Sequence, residues 1–135
     1  MRKGAEAIAR LVPDLALIAT SPYVRALESA EILARACEKK PVVSELAELA
    51  SGGSATGVVR FLLAQKAIPA IALVGHEPDL SSLVGLLLIG KERSFLEMRK
   101  GGACLLDFPG RLAPGGARLV WHLPPGTLRA LRDLR

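Results

Sequence analysis

The stretch Ala70-Ile71-Ala72-Leu73-Val74-Gly75-His76-Glu77-Pro78-Asp79 decides how this chain is read. The apolar run over 70–74 predicts a buried strand. It stops at Gly75-His76, and a helix-like stretch follows from Pro78. Such a junction presents an imidazole at the carboxyl edge of a sheet, where open α/β folds bind their ligands. A similar junction lies upstream, where Leu15-Ala16-Leu17-Ile18-Ala19-Thr20 runs into Ser21-Pro22-Tyr23-Val24-Arg25-Ala26. Together the two junctions predict a phosphate site built from Arg25 and His76.

Working outward, strands and helices alternate. Residues 4–11 read as a helix and 15–20 as a buried strand. Residues 23–37 read as an amphipathic helix, with Ala26, Ala30, Leu33 and Cys37 on one stripe and Glu28, Glu31, Arg35 and Glu38 on the other. Pro41-Val42-Val43-Ser44 is a short strand. Ser51-Gly52-Gly53-Ser54 is a loop with capping chemistry before a helix that runs to about Lys66. After the strand at 70–74, a helix over 78–89 ends at Gly90, the glycine that helix C-termini favour. Residues 91–100 are polar and irregular. Strands at 103–108 and 117–123 follow, joined through Pro109-Gly110 and Pro114-Gly115-Gly116 as a hairpin. A last helix starts at Thr127. The order implies βαβ crossovers and a mostly parallel, mixed sheet in a three-layer α/β/α architecture, one domain over 1–135.

Composition narrows the function. The chain has 135 residues, 50% apolar and 4% aromatic, enough for a real core packed by Ala, Leu and Val. No apolar run reaches the length of a membrane span, and Met1-Arg2-Lys3 is followed by Gly-Ala-Glu rather than by the apolar core of a signal peptide. No membrane partner is expected. Cys37 and Cys104 lie far apart and read as free thiols in a reducing cytoplasm. The formal net charge of +5 favours anionic partners. Arg129, Arg132 and Arg135 fall on one face of the last helix and read as a solvated face. No aromatic residues interleave with them, so no nucleic-acid partner is expected.

The chemistry sits at the two junctions. Pro22 suits a first helical turn, Ser21 can cap it, and the free N–H groups of that turn attract an anion. A cation in the same turn works against the helix dipole, so Arg25 is easier to understand if an anion binds beside it. The alternative is a surface Arg25 paired with Glu28, one turn on. At the second junction Glu77 or Asp79 can cap, Pro78 can occupy the first turn, and His76 can hold a phosphoryl oxygen. The alternative there is a structural histidine bonded to a carbonyl. Only His122 accompanies it, without ligand spacing, so neither a metal nor another cofactor is expected.

These residues resemble a known family. Ser21-Pro22-Tyr23-Val24-Arg25-Ala26-Leu27-Glu28-Ser29-Ala30 is similar to the S-P-x-x-R-A-x-x-T-A element of the histidine phosphatase superfamily, and Val74-Gly75-His76-Glu77-Pro78 to its G-H-x-P element. Glu45-Leu46-Ala47-Glu48-Leu49-Ala50-Ser51-Gly52-Gly53 resembles the E-L-A-P-G-G stretch of the small SixA-type phosphohistidine phosphatases, and Arg99-Lys100-Gly101-Gly102-Ala103 their K-G-G turn. The resemblance implies a phosphoglycerate mutase-like fold and removal of phosphate from a phosphorylated histidine on another protein. In such enzymes a histidine attacks phosphorus in line, and water later hydrolyses the phosphohistidine formed. Arginines and a second histidine neutralise the moving phosphoryl group. Arg25 would then be a phosphate clamp and His76 the second histidine, with Ser21 beside them. The short link between Glu38 and the Ser54 helix leaves no room for a lid, which suits a phosphate displayed on a protein. Glu48 is the best local candidate if the site uses an acid, and a solvated loop carboxylate is the favoured alternative.

The chain departs from this pattern in one respect: it has no Arg-His-Gly motif after a first strand. The opening Arg2-Lys3-Gly4-Ala5-Glu6-Ala7-Ile8-Ala9 is similar to the helix that normally follows that segment. The resemblance therefore implies that a first, central strand and the nucleophile are missing, through a misplaced start or a truncation. A chain so shortened is expected to be marginal in stability and weak in turnover. Two other functions stay open. One is a non-catalytic module that binds phosphoproteins through Arg25 and His76. The other is a basic interaction protein without phosphate chemistry.

Overall fold

The computed structural model describes residues 2–65 and 67–134. The elements are α1 (Arg2–Leu11), β1 (Leu17–Thr20), α2 (Val24–Ala36), β2 (Val42–Glu45), a 3₁₀ turn (Ala47–Leu49), α3 (Ala55–Ala64), β3 (Ile71–Val74), α4 (Asp79–Ile89), β4 (Ala103–Asp107), β5 (Arg118–Leu123) and α5 (Pro125–Arg132). The helix expected to reach Lys66 ends at Ala64; Lys66, like Arg135, lies outside the described residues.

β1 is the centre of a parallel sheet ordered β2-β1-β3. Leu17 pairs with Val42 and Ile71, and Thr20 with Glu45 and Val74. All four β1 residues are buried. Successive strand side chains point to opposite faces, and each face of β1 has its own cover. Ile18 packs with Ala5, Val12, Leu15, Ala30, Leu33 and Cys37, from α1, α2 and the segments beside them. Ala19 packs with Leu49, Val58, Val59, Leu62, Leu83, Leu86 and Leu87, from the 3₁₀ turn, α3 and α4. Helices on both faces give the three-layer α/β/α order that the alternation implied.

β4 and β5 pair antiparallel, with a bulge between Leu105 and Leu106. The hairpin joins both layers: Leu105 and Trp121 pack against the α1–α2 cluster, Leu106 and Phe108 against the α3–α4 cluster. The two strand senses run in separate ladders, because among the described residues β3 bonds to β1 alone and β4 to β5 alone. Apolar pattern reports which faces are covered; it does not report which edges bond.

Helix ends follow local chemistry. Ser54 caps α3 by accepting from the Gly57 N–H at 3.0 Å. Gly90 ends α4 in the left-handed conformation, φ 75°. α2 begins two residues later than Pro22 would set it: Tyr23 is its extended first cap, and Pro22 lies in the bend before it. Arg132 of α5 bonds to Glu6 of α1 and to Asp133, so the basic face expected to be solvated is partly engaged. Arg10 closes the same contact by donating to the carbonyls of Arg132 and Leu134.

Candidate functional site

Because β1 and β3 are parallel neighbours ending in register at Thr20 and Val74, the residues just beyond them meet at one sheet edge. The Ser21 N–H donates to the Val74 carbonyl at 2.9 Å, extending the ladder by one bond. Ser21 is fully buried, and its Oγ lies 2.8 Å from His76 Nε2. The same oxygen accepts the Tyr23 N–H at 3.3 Å. Ser21 therefore caps the bend before α2 rather than the helix itself. Among the described residues Nδ1 of His76 has no hydrogen-bond partner. The Tyr23 ring lies 5.1 Å from the imidazole at a tilt of 43°.

Arg25 is the second residue of α2, and its side chain is exposed. Among the described residues it forms no ion pair, so the pairing with Glu28 is not seen. The neighbouring pair on α2 is Glu31 with Arg35. A guanidinium with no carboxylate on it keeps its donors for a ligand.

Glu48 sits in the 3₁₀ turn and lines, with His76, a cavity of about 130 Å³ whose wall also includes Asp79 and Glu92. The Gly-Gly loop closes one end. The Gly52 N–H donates to Asp79 Oδ2 at 2.7 Å, and a Cβ on Gly53 would overlap the Glu48 carbonyl. Glycine is required there by the close approach of the backbone. Asp79, expected as a cap, instead anchors this loop. Glu77 accepts from the buried Ser81 hydroxyl at 2.7 Å and so holds the first turn of α4. A larger cavity, about 330 Å³, is lined by Glu77, Ser81 and residues 94–98 and contains none of Ser21, Arg25 and His76.

The other chemically notable residues lie elsewhere. His122 is on β5, opposite Cys104 on β4. Burial, helped by the Glu77 carboxylate, pushes the Cys104 thiol up to about 11, and burial also raises Cys37. Neither is poised as a thiolate nucleophile. Sequence reasoning missed Tyr23 and Glu92. Tyr23 has a visible signal, since it follows Ser21 by two residues. Glu92 has none, because the fold carries it there from beyond α4.

No protein-family model matches the chain. An uncharacterized protein of Picosynechococcus sp. (strain ATCC 27264 / PCC 7002 / PR-6) is 35% identical over 107 residues, 78% of this chain. The matched stretch spans 61% of that relative's length. Among solved structures, the protein histidine phosphatase SixA complexed with tungstate superposes with a TM-score of 0.79 at 18% identity, over 94% of this chain and 80% of that one. A candidate phosphohistidine phosphatase SixA from Agrobacterium tumefaciens gives 0.66 at 19% identity, over 93% and 78%. At such identities the likeness is one of fold.

Proposed function

From its SixA-type fold, we propose that this chain handles the phosphoryl group of a phosphorylated histidine carried by another protein. The observation that carries this reading is the 2.8 Å contact between Ser21 Oγ and His76 Nε2. It joins the two strand-end elements that the phosphatase resemblance rests on, 55 residues apart in the chain. In this reading Arg25 clamps the equatorial phosphoryl oxygens and His76 donates to one of them. Both stabilise charge that builds during transfer. Ser21 is a positioning residue that fixes the imidazole. Glu48, on the cavity wall shared with His76, is the carboxyl that would protonate a leaving group. The 3₁₀ turn between β2 and α3 is short, which leaves the edge open to a phosphate displayed on a protein surface.

A second reading is a phosphate-binding module without turnover that uses the same strand-end pair, Ser21 and His76. Titration calorimetry with tungstate or phosphate tests the shared part. Arg25→Ala and His76→Ala should each weaken binding by about 10- to 100-fold, the worth of one charge-assisted hydrogen bond. Unchanged binding in both variants would remove the site. Turnover of a phosphohistidine protein separates the readings: slow or absent hydrolysis with intact anion binding is expected. Robust hydrolysis abolished by His76→Ala would make His76 the nucleophile and overturn its assigned role.

A further inference from the structure

We propose that Ser21 fixes the proton of the neutral His76 imidazole on Nδ1, so that His76 meets a ligand as a hydrogen-bond donor and not through a free nitrogen lone pair. The tautomer follows from hydrogen-bond geometry alone; the use made of the Nδ1 proton rests on the phosphoryl reading.

The first observation is a proton count at Ser21. A hydroxyl has one proton to give and two lone pairs. Among the described residues Ser21 Oγ has two hydrogen-bond neighbours, the Tyr23 N–H at 3.3 Å and His76 Nε2 at 2.8 Å. The Tyr23 N–H can only donate, so it takes one lone pair. A proton on Nε2 would take the other, and the hydroxyl proton would then have no acceptor. Ser21 is fully buried, so bulk water does not reach it. A buried donor left unmatched is costly, and such groups are rare in folded proteins. The count balances when the Ser21 hydroxyl donates to a bare Nε2.

The second is the rigidity of the pair. The Ser21 N–H donates to the Val74 carbonyl, two residues before His76, so the register of β1 on β3 sets the approach of hydroxyl to imidazole. The Tyr23 ring lies against the imidazole at 5.1 Å.

The third is what remains at the other nitrogen. A neutral imidazole with a bare Nε2 carries its proton on Nδ1. His76 is only partly buried and lines the cavity it shares with Glu48 and Asp79. An Nδ1–H donor suits an ionised phosphoryl oxygen, which can only accept. The Nε2 lone pair, engaged by Ser21, is withheld from attack on phosphorus. Ser21 thereby casts His76 as the group that stabilises charge and not as the nucleophile.

The test is nitrogen–proton correlation NMR of the isotope-labelled full chain at about pH 8.5, well above the ordinary imidazole value of roughly 6.5. The His76 Nε2 resonance should be that of a bare, pyridine-type nitrogen and Nδ1 that of a protonated, pyrrole-type one. In Ser21→Ala the proton should move to Nε2, the tautomer that unconstrained histidines prefer. In Ser21→Thr, which keeps the hydroxyl, it should stay on Nδ1. His122 should not respond to either change. A protonated Nε2 in the parent chain overturns the proposal, whether or not the variants fold. So does a Ser21→Ala chain that keeps its proton on Nδ1. Tungstate added to the parent should shift Nδ1 more than Nε2. If it shifts neither while the tautomers are as stated, the phosphoryl reading fails and the assignment of Ser21 stands.

Discussion

At Ser21 a single buried hydroxyl binds two parts of the candidate site, the Tyr23 N–H ahead of α2 and the imidazole beyond β3. Ser21→Ala should cost about 1 kcal/mol in urea unfolding, since the part-buried Tyr23 N–H and the imidazole each lose a hydrogen-bond partner. Tungstate affinity should fall by only a few-fold, because Arg25 is untouched. Cys104 is predicted to be inert by the opposite logic. With its thiol held near 11 by burial, it should react with a disulfide reagent at pH 8 at least about tenfold more slowly than in urea. Equal rates would show that β4 is not covered. At this scale the approach of Ser21 to His76 was legible, because strand ends followed by Pro-containing turns say where a side chain stands. The second role of Asp79 was not. Its partner, Gly52, is 27 residues away, and no local pattern encodes that approach.

The clasp between the terminal helices sets one pH-dependent contribution to stability. The Arg132 hydrogen bond holds Glu6 below its ordinary value of 4.5, with nearby charges, Arg132 and Arg10 among them, adding to the effect. A depressed carboxylate stabilises the fold fully above the unfolded value, and the contribution is lost as pH falls through the folded one. Thermal melts of Glu6→Gln should therefore lie below those of the parent near neutral pH and converge with them as pH falls below 4.5 and through the depressed folded value. A constant offset across the range would mean that packing, not charge, joins α1 to α5. Among the elements, α2 was the most legible. Its stripe of Ala26, Ala30, Leu33 and Cys37 is buried as a helical period requires. Its start was less so, because Ser21 and Pro22 serve the bend instead of the first turn. The separation of the hairpin from β3 was invisible, since apolar alternation is blind to edge pairing.

Across the whole molecule, the three-layer order could be read from the sequence because strand and helix periods alternate cleanly. The distribution of cover could not, because it depends on which strands sit side by side. β1 alone is buried at every position, and it is the wall between two clusters that share no residue. Substitutions on opposite sides of that wall should act independently. The unfolding costs of Val58→Ala and Leu33→Ala should sum in the double variant to within about 0.5 kcal/mol, and a larger coupling would mean that β1 transmits strain. If they do sum, the protein has two separately tunable interiors. The side bearing α3, α4 and the Gly-Gly loop could drift to accommodate a new ligand while the side bearing the terminal helices keeps the chain folded.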